Sequence, residues 1–240
     1  METSSRTSAA IHVMSTLALV NAMRELVARY QQRAGIIATA DYAPTNALLN
    51  RIRSGEVGDL AILTGQAVDQ LIDEGLLVSG SRTDIALSSV GIAVRAGAPK
   101  PEIGSVEAFR SALLQTESIA YSRIGASGVF FADLIQRLGI AEEVNAKARI
   151  IPSGFTAELV ASGEAELAVQ QVSELLAVSG IEVVGRLPPE IQSVTTFSAG
   201  LFIGSAHPEG AMRFAAMLSS RESAPILQAS GLDPLHRDRV

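Results

Sequence analysis

The sequence predicts an α/β protein of two lobes, each a mostly parallel sheet flanked by helices, with two strands crossing between them. Three observations carry this. Short β-branched runs alternate with longer stretches whose apolar residues recur at helical spacing. A first βαβαβ series gives way after Asp84 to a long apolar run and then to a second βα series. Late in the chain, Val194–Ile203 reads as a strand returning to the first series.

The elements follow in order. Ile11–Met14 predicts a strand, and Leu17, Val20, Met23, Leu26, Val27 and Tyr30 predict a helix that Gly35 ends. Ile36–Ala40 is the next strand, and Asn46–Ser54 a helix closed by Gly55. Asp59–Thr64 and Val68–Glu74 complete the first series, whose pattern implies right-handed parallel crossovers. Ile85–Arg95 reads as a strand leading out of the first lobe. In the second series, strands are expected at Ser118–Tyr121, Ala148–Ile151 and Leu167–Gln170. Helices are expected at Ser105–Leu114, Val129–Leu138, Thr156–Ser162 and Ser173–Val178, then at Glu209–Ser219 and Ala224–Ser230. The expected lobes are 10–84 with 195–240, and 85–194, after a tail over 1–9. On pattern alone a single doubly wound sheet remains the alternative.

Composition narrows the function. Apolar residues make up 48% of the 240 and charged residues 18%, which suits a packed globule and not a disordered chain. A net charge of −6, with lysine only at 100 and 147, argues against nucleic acid and anionic membrane surfaces. Cysteine is absent, so thiolate catalysis, disulfides and Cys-ligated metals are excluded. His12, His207 and His236 have no metal-ligand spacing, and no cofactor is expected. No apolar run approaches the ~20 residues needed to cross a bilayer, so no membrane insertion is expected. No secretory leader is visible, which favours a cytoplasmic location, or a periplasmic one if a leader precedes this chain.

One pattern recurs where strands give way to helices: a small hydroxyl or glycine pair. It occurs at Met14-Ser15-Thr16, Tyr42-Ala43-Pro44-Thr45-Asn46, Ile124-Gly125-Ala126-Ser127-Gly128 and Pro152-Ser153-Gly154-Phe155-Thr156. Each helix start offers unpaired N–H groups and about half a positive charge. Converging, such ends would hold an anion without a lysine. Any one of these hydroxyls is more commonly a plain helix cap, so the inference rests on the set. Gln170 and Gln171 end an apolar strand. Alternation sends one toward the cleft, and Gln171 is the candidate. Arg123 could fork onto a carboxylate, although an exposed arginine is the commoner outcome.

In this order, Ser15-Thr16, Asp41-Tyr42-Ala43, Asn46 to Gly55, Gly125-Ala126-Ser127-Gly128, Gly163 to Gln171 and the closing Gly231-Leu232-Asp233-Pro234 resemble one family. It is the molybdate-binding branch of ABC-transporter solute-binding proteins, which have the type II periplasmic-binding-protein-like fold. The resemblance spans about Ile11 to Leu235. It implies ligand contacts from Ser15 or Thr16 and Thr45 or Asn46 in one lobe. From the other it implies Ser127 with Gly128, the Gly154–Phe155 backbone and Gln171. The branch has a tyrosine near the last position, where this chain has glutamine. With Arg123 nearby, that shifts the expected ligand from molybdate toward an organic acid. A permease partner is implied only if the chain is exported. The branch also contains aconitate isomerase, so a cofactor-free isomerase of a small polycarboxylate is the alternative to a binding protein. Asp41, Tyr42 and Glu174 are then the candidate bases.

Overall fold

The computed structural model describes residues 10–235; the tail expected over 1–9 lies outside them. In the first half, β1 (Ala10–Thr16), α1 (Val20–Ala34), β2 (Ile37–Ala43), α2 (Thr45–Arg53), β3 (Leu60–Thr64) and α3 (Gly65–Asp73) follow one another. β4 (Thr83–Arg95) leads to α4 (Val106–Gln115), β5 (Ile119–Ser122), α5 (Ala126–Arg137) and α6 (Ala141–Ala146). Then come β6 (Ala148–Ile151), α7 (Thr156–Ser162), β7 (Leu167–Gln171), α8 (Val172–Leu175) and β8 (Ile181–Arg186). β9 (Val194–Leu201), α9 (Pro208–Leu218), α10 (Ala224–Ala229) and β10 (Asp233–Pro234) close the described chain.

The strands lie in the order β2-β1-β3-β9-β4-β7-β5-β6, with β8 and β10 paired to β4. β1 runs parallel to β2 and β3, and β5 runs parallel to β6 and β7. These trios are the parallel sheets of the two lobes. β3 is buried along Leu60–Leu63, the continuous apolar run of a strand covered on both faces. The antiparallel partners are the crossing strands. β4 pairs with β9 through Thr83–Ser89, then with β7 and β8 through Val90–Arg95, so one strand serves both sheets.

At the crossover, Gln192 Oε1 accepts from Val90 N at 3.0 Å, and its Nε2 donates to Val90 O at 3.1 Å. Two apolar clusters flank the first sheet, one around Leu19, Met23 and Phe214 and one around Met14, Leu48 and Leu71. Two more flank the second sheet, around Phe109, Tyr121 and Phe131 and around Ala168 and Leu175.

Of the strands and α-helices, β8, β10 and α6 lie outside the expectations, and α8 differs in its bounds. β8 carries Glu182 and Gly185 within a half-exposed edge, which breaks up its apolar signal. α6 has six residues, too few for a helical period to show. The helix expected over Ser173–Val178 is the four-residue α8, beginning at Val172. Elsewhere the boundaries move by a few residues, as at α3, which starts at Gly65 because Thr64 Oγ1 caps it through Ala67 N at 3.3 Å.

Candidate functional site

The parallel strands of both lobes end facing a common space. From the first lobe, Thr16, Leu17, Pro44, Thr45 and Phe197 line a cavity of ≈ 20 Å³. From the second, Ser122, Gly125, Ala126 and Ser127 meet Ser153, Gly154, Gln170, Gln171 and Glu174. So small a volume matches about one water-sized group, which makes this a closed arrangement. Asn46 Nδ2 on α2 donates to Ile124 O on the β5–α5 turn at 3.0 Å, a bond from one lobe to the other. A wider groove of ≈ 490 Å³ adjoins the cavity, sharing Thr45 and Ala126 with it and lined further by Asn46, Gln66, Arg82 and Thr195.

Two helix starts at the cavity, those of α2 and α5, carry no side-chain caps. α2 begins after Pro44, whose side chain has no acceptor, and its first backbone bonds run from Ala47 and Leu48 to Pro44 O. The N–H groups of Thr45 and Asn46 therefore precede the intrahelical ladder. α5 begins after Gly125 in the same way, with Gly128 and Val129 the first donors to Gly125 O. By contrast, Thr64 and Ser105 cap α3 and α4 away from the cavity. The starts of α6, α9 and α10 are also uncapped, so it is convergence, not the missing cap, that marks the site. Thr45 Oγ1 approaches Thr16 Oγ1 at 3.4 Å, which puts two hydroxyls side by side on the first-lobe wall.

The turn into α5 is held by two devices. Buried Ser122 turns its Oγ back to accept from Ile124 N and Gly125 N, both at 3.3 Å. Gly128 lets α5 sit on the β5 backbone, because a Cβ there would lie 1.5 Å from Ser122 O.

Gln170 and Gln171 are both buried and both line the cavity, against the expectation that alternation would send one of them there. The strand end is covered on both faces. Gln170 Oε1 accepts from Thr156 N at 2.8 Å and Thr156 Oγ1 at 3.0 Å, so it satisfies the start of α7. Its Nε2 donates to Gly154 O at 3.1 Å. The Gln171 amide fits its neighbours with its oxygen accepting from Thr195 Oγ1 at 3.0 Å and its nitrogen donating to Ser88 Oγ at 3.1 Å. It thereby joins the cavity wall to both crossing strands.

Glu174 is the single ionisable side chain among the described residues lining the cavity, and no Lys, Arg or His joins it there. Three positions after Gln171, which caps α8, it occupies the place from which a glutamate reaches back to the cap's N–H. Burial pushes its carboxyl up to about 7, while hydrogen bonding from the Gln171 backbone and the Gln170 side chain pulls it down by less.

Of the residues singled out from sequence, Thr16, Thr45, Ser127 and Gln171 line the cavity. Ser15 is buried within β1, its Oγ donating to Thr16 O at 3.2 Å. Asn46 lies in the adjoining groove and bridges the lobes. Gly128 packs against β5, and Phe155 is the cap residue of α7, behind the lining pair Ser153 and Gly154. Arg123 is exposed and does not line the cavity, since the tight Ser122 turn directs the chain outward there. Of the candidate bases, Asp41 is paired with Arg51 on the outer side of α2, and Tyr42 likewise does not line the cavity, which leaves Glu174 there. Sequence reasoning passed over Ser122 and Gln170. A serine closing an apolar strand two residues before a glycine-rich turn was the available signal for the first.

A closed space between two α/β lobes, reached by helix starts from both and spanned by crossing strands, defines a two-lobed ligand-binding protein. The chain belongs to the bacterial extracellular solute-binding protein family, whose profile it matches over residues 11–233. It is 36% identical over 229 residues to an aconitate isomerase from Pseudomonas sp, covering 93% of this chain and 87% of that protein. The periplasmic molybdate-binding protein of Azotobacter vinelandii shares the fold with a TM-score of 0.78 at 17% identity, over 92% of this chain and 98% of that one. The sulfate-binding protein SubI of Mycobacterium tuberculosis H37Rv does so with a TM-score of 0.74 at 13% identity, over 94% and 87%.

Proposed function

We propose that this protein closes its lobes on a small anion, an oxyanion or an organic carboxylate. The observation that carries this is the convergence of uncapped helix starts and hydroxyls from both lobes on one closed cavity without a basic side chain. Charge would be met by the free N–H groups of α2 and α5 and by the hydroxyls of Thr16, Thr45, Ser122 and Ser127. The backbone of Ser153–Gly154 completes the wall. Neither this reading nor the alternative below needs a cofactor.

The lobes we propose are 10–84 with 195–240, and 85–194. The apolar clusters support that division, since only Ile85 and Ala86 pack with the other segment. A permease partner goes with an exported form of the protein, and a cytoplasmic location with a form that is not exported. Cell fractionation separates the two.

The test is a thermal-shift panel of molybdate, sulfate, phosphate and di- and tricarboxylates. Stabilisation grows with ligand and reaches about 2.7 kcal/mol at a hundredfold excess over Kd. Failure of every anion to stabilise the protein would overturn the reading.

A second reading, an isomerase of a small polycarboxylate, draws on the relationship to an aconitate isomerase and on the carboxyl of Glu174 within the cavity. In it, ionised Glu174 takes a proton from carbon beside a carboxylate and returns it at the other end of the allylic system. Helix N–H groups hold the developing charge. Incubation with cis- and trans-aconitate, followed by ultraviolet absorbance, tests it; unchanged spectra remove it for those substrates.

A further inference from the structure

Among the described residues, a cavity read as a seat for anions is lined by a carboxyl group and by no basic side chain. Glu174 is 9% exposed and shares a space of ≈ 20 Å³ with whatever the cavity holds. A carboxylate and an anionic guest would then face each other with little water between them, which is strongly unfavourable.

Among the described residues, no basic side chain acts on Glu174. Its helix α8 packs against β4, β7, β8, α1 and the Leu17–Leu19 turn. On β4 and β8, Asp84 is engaged with Arg82, Arg186 with Asp233 and Glu182 with Lys100, while Arg95 lies near Gly163. On α1, Arg29 and Arg33 pair with Glu25 and Glu222, and Arg24 acts on Tyr42. Only burial and the hydrogen bonds from Gln170 and Gln171 act on the group.

We propose that Glu174 enters the bound state as the neutral acid, directing its proton at an oxygen of the guest, so that each anion bound draws one proton from solvent. A carboxyl that donates in this way selects guests whose facing oxygen is a fully ionised acceptor, and it disfavours guests that bring their own acidic proton to that point. The inference rests on the anion-binding reading and requires the protonation state opposite to that of an isomerase base.

Linkage gives the signature. With the free group titrating near 7, binding takes up almost no proton near pH 5.5, about half a proton at pH 7 and nearly one at pH 8.5. By reciprocity, affinity falls about tenfold per pH unit above pH 7.

The experiment is calorimetric titration of the wild-type protein with trans-aconitate, and separately with molybdate. Each is run at those three pH values in two buffers of different ionisation enthalpy. Both probes are fully ionised at pH 8.5, so proton uptake there belongs to the protein, and molybdate, fully ionised at pH 7 as well, reads the intermediate value. The variant Glu174→Gln keeps a donor of similar shape that does not titrate. It should bind without proton uptake and with affinity flat to within about threefold between pH 7 and 8.5, while wild-type affinity drops more than tenfold. Binding by the wild type without proton uptake overturns this inference and leaves the anion reading standing. Absence of binding by both probes and by every other anion of the thermal-shift panel, titrated in the same way, overturns the two together. The wild-type measurement decides the matter even if the variant folds poorly.

Discussion

The two walls of the cavity are built from the same kind of element, a helix start at the end of a parallel strand, yet they differ in how their polar groups are spent. On the first-lobe wall, Thr16 and Thr45 present hydroxyls to each other at 3.4 Å, at helix starts with no side-chain cap. On the second-lobe wall, Gln170 is bonded to the start of α7 and Gln171 to Ser88 and Thr195 on the crossing strands. Buried Glu174 lines the cavity beside them. The first-lobe wall therefore leaves its polar groups open to a guest, while the second does so only around the start of α5, is otherwise bonded to α7 and the crossing strands, and carries the group that titrates.

The largest effect that probes this contrast falls on the scaffold of the second wall. Gly128→Ala places a Cβ 1.5 Å from a backbone oxygen that no side-chain rotation can relieve. A loss on the order of 3 kcal/mol or more is expected in thermal or denaturant unfolding. Gly125→Ala, at φ −76 with its nearest neighbour 3.8 Å away, should stay within about 0.5 kcal/mol. Equal losses would mean that the turn does not depend on close approach.

Next comes the titrating group. Its folded value, about 7, lies above the ordinary 4.5. Its contribution to stability is therefore whole at low pH and lost as pH rises through about 7. Glu174→Gln should melt with the wild type near pH 5 and be more stable by on the order of 2–3 kcal/mol near pH 8.5. A parallel shift at both pH values would deny the contrast between the walls.

Ser127→Ala removes one hydroxyl facing the guest and should weaken the best anion of the panel about tenfold, with little change in melting temperature. Asn46→Ala breaks the exposed bond to Ile124 and should cost less than about 1 kcal/mol, seen as release a few-fold faster in stopped flow. Arg123→Ala, at an exposed position off the cavity, should leave carboxylate and oxyanion affinities within about twofold. A selective loss for carboxylates would bring that guanidinium back to the site.

Most of the helix starts were legible because their signals are local. Gly35 and Gly163 end helices at positive φ, and Thr16, Thr45 and Ser127 sit where strands hand over to helices. The division of labour among neighbouring candidates was not legible. Ser15 and Thr16 differ by one step of strand alternation, which turns the first into the sheet and the second toward the cavity. Gln170 and Gln171 defeat the same rule, because the end of β7 is enclosed on both faces. β8 escaped notice since its partner, β4, is distant in sequence and supplies the pairing that its own weak pattern does not advertise.

By itself, then, the sequence determined the two βα series, the crossing runs and the set of helix starts rich in small hydroxyls. Those features depend on local propensity and on periodicity within a dozen residues. Only the tertiary structure decided which hydroxyls share a cavity, that Arg123 stays outside it, and that Glu174 lies within it beside two amides. These depend on burial and on the distance between elements, and a carboxyl's proton is set by what surrounds it in space.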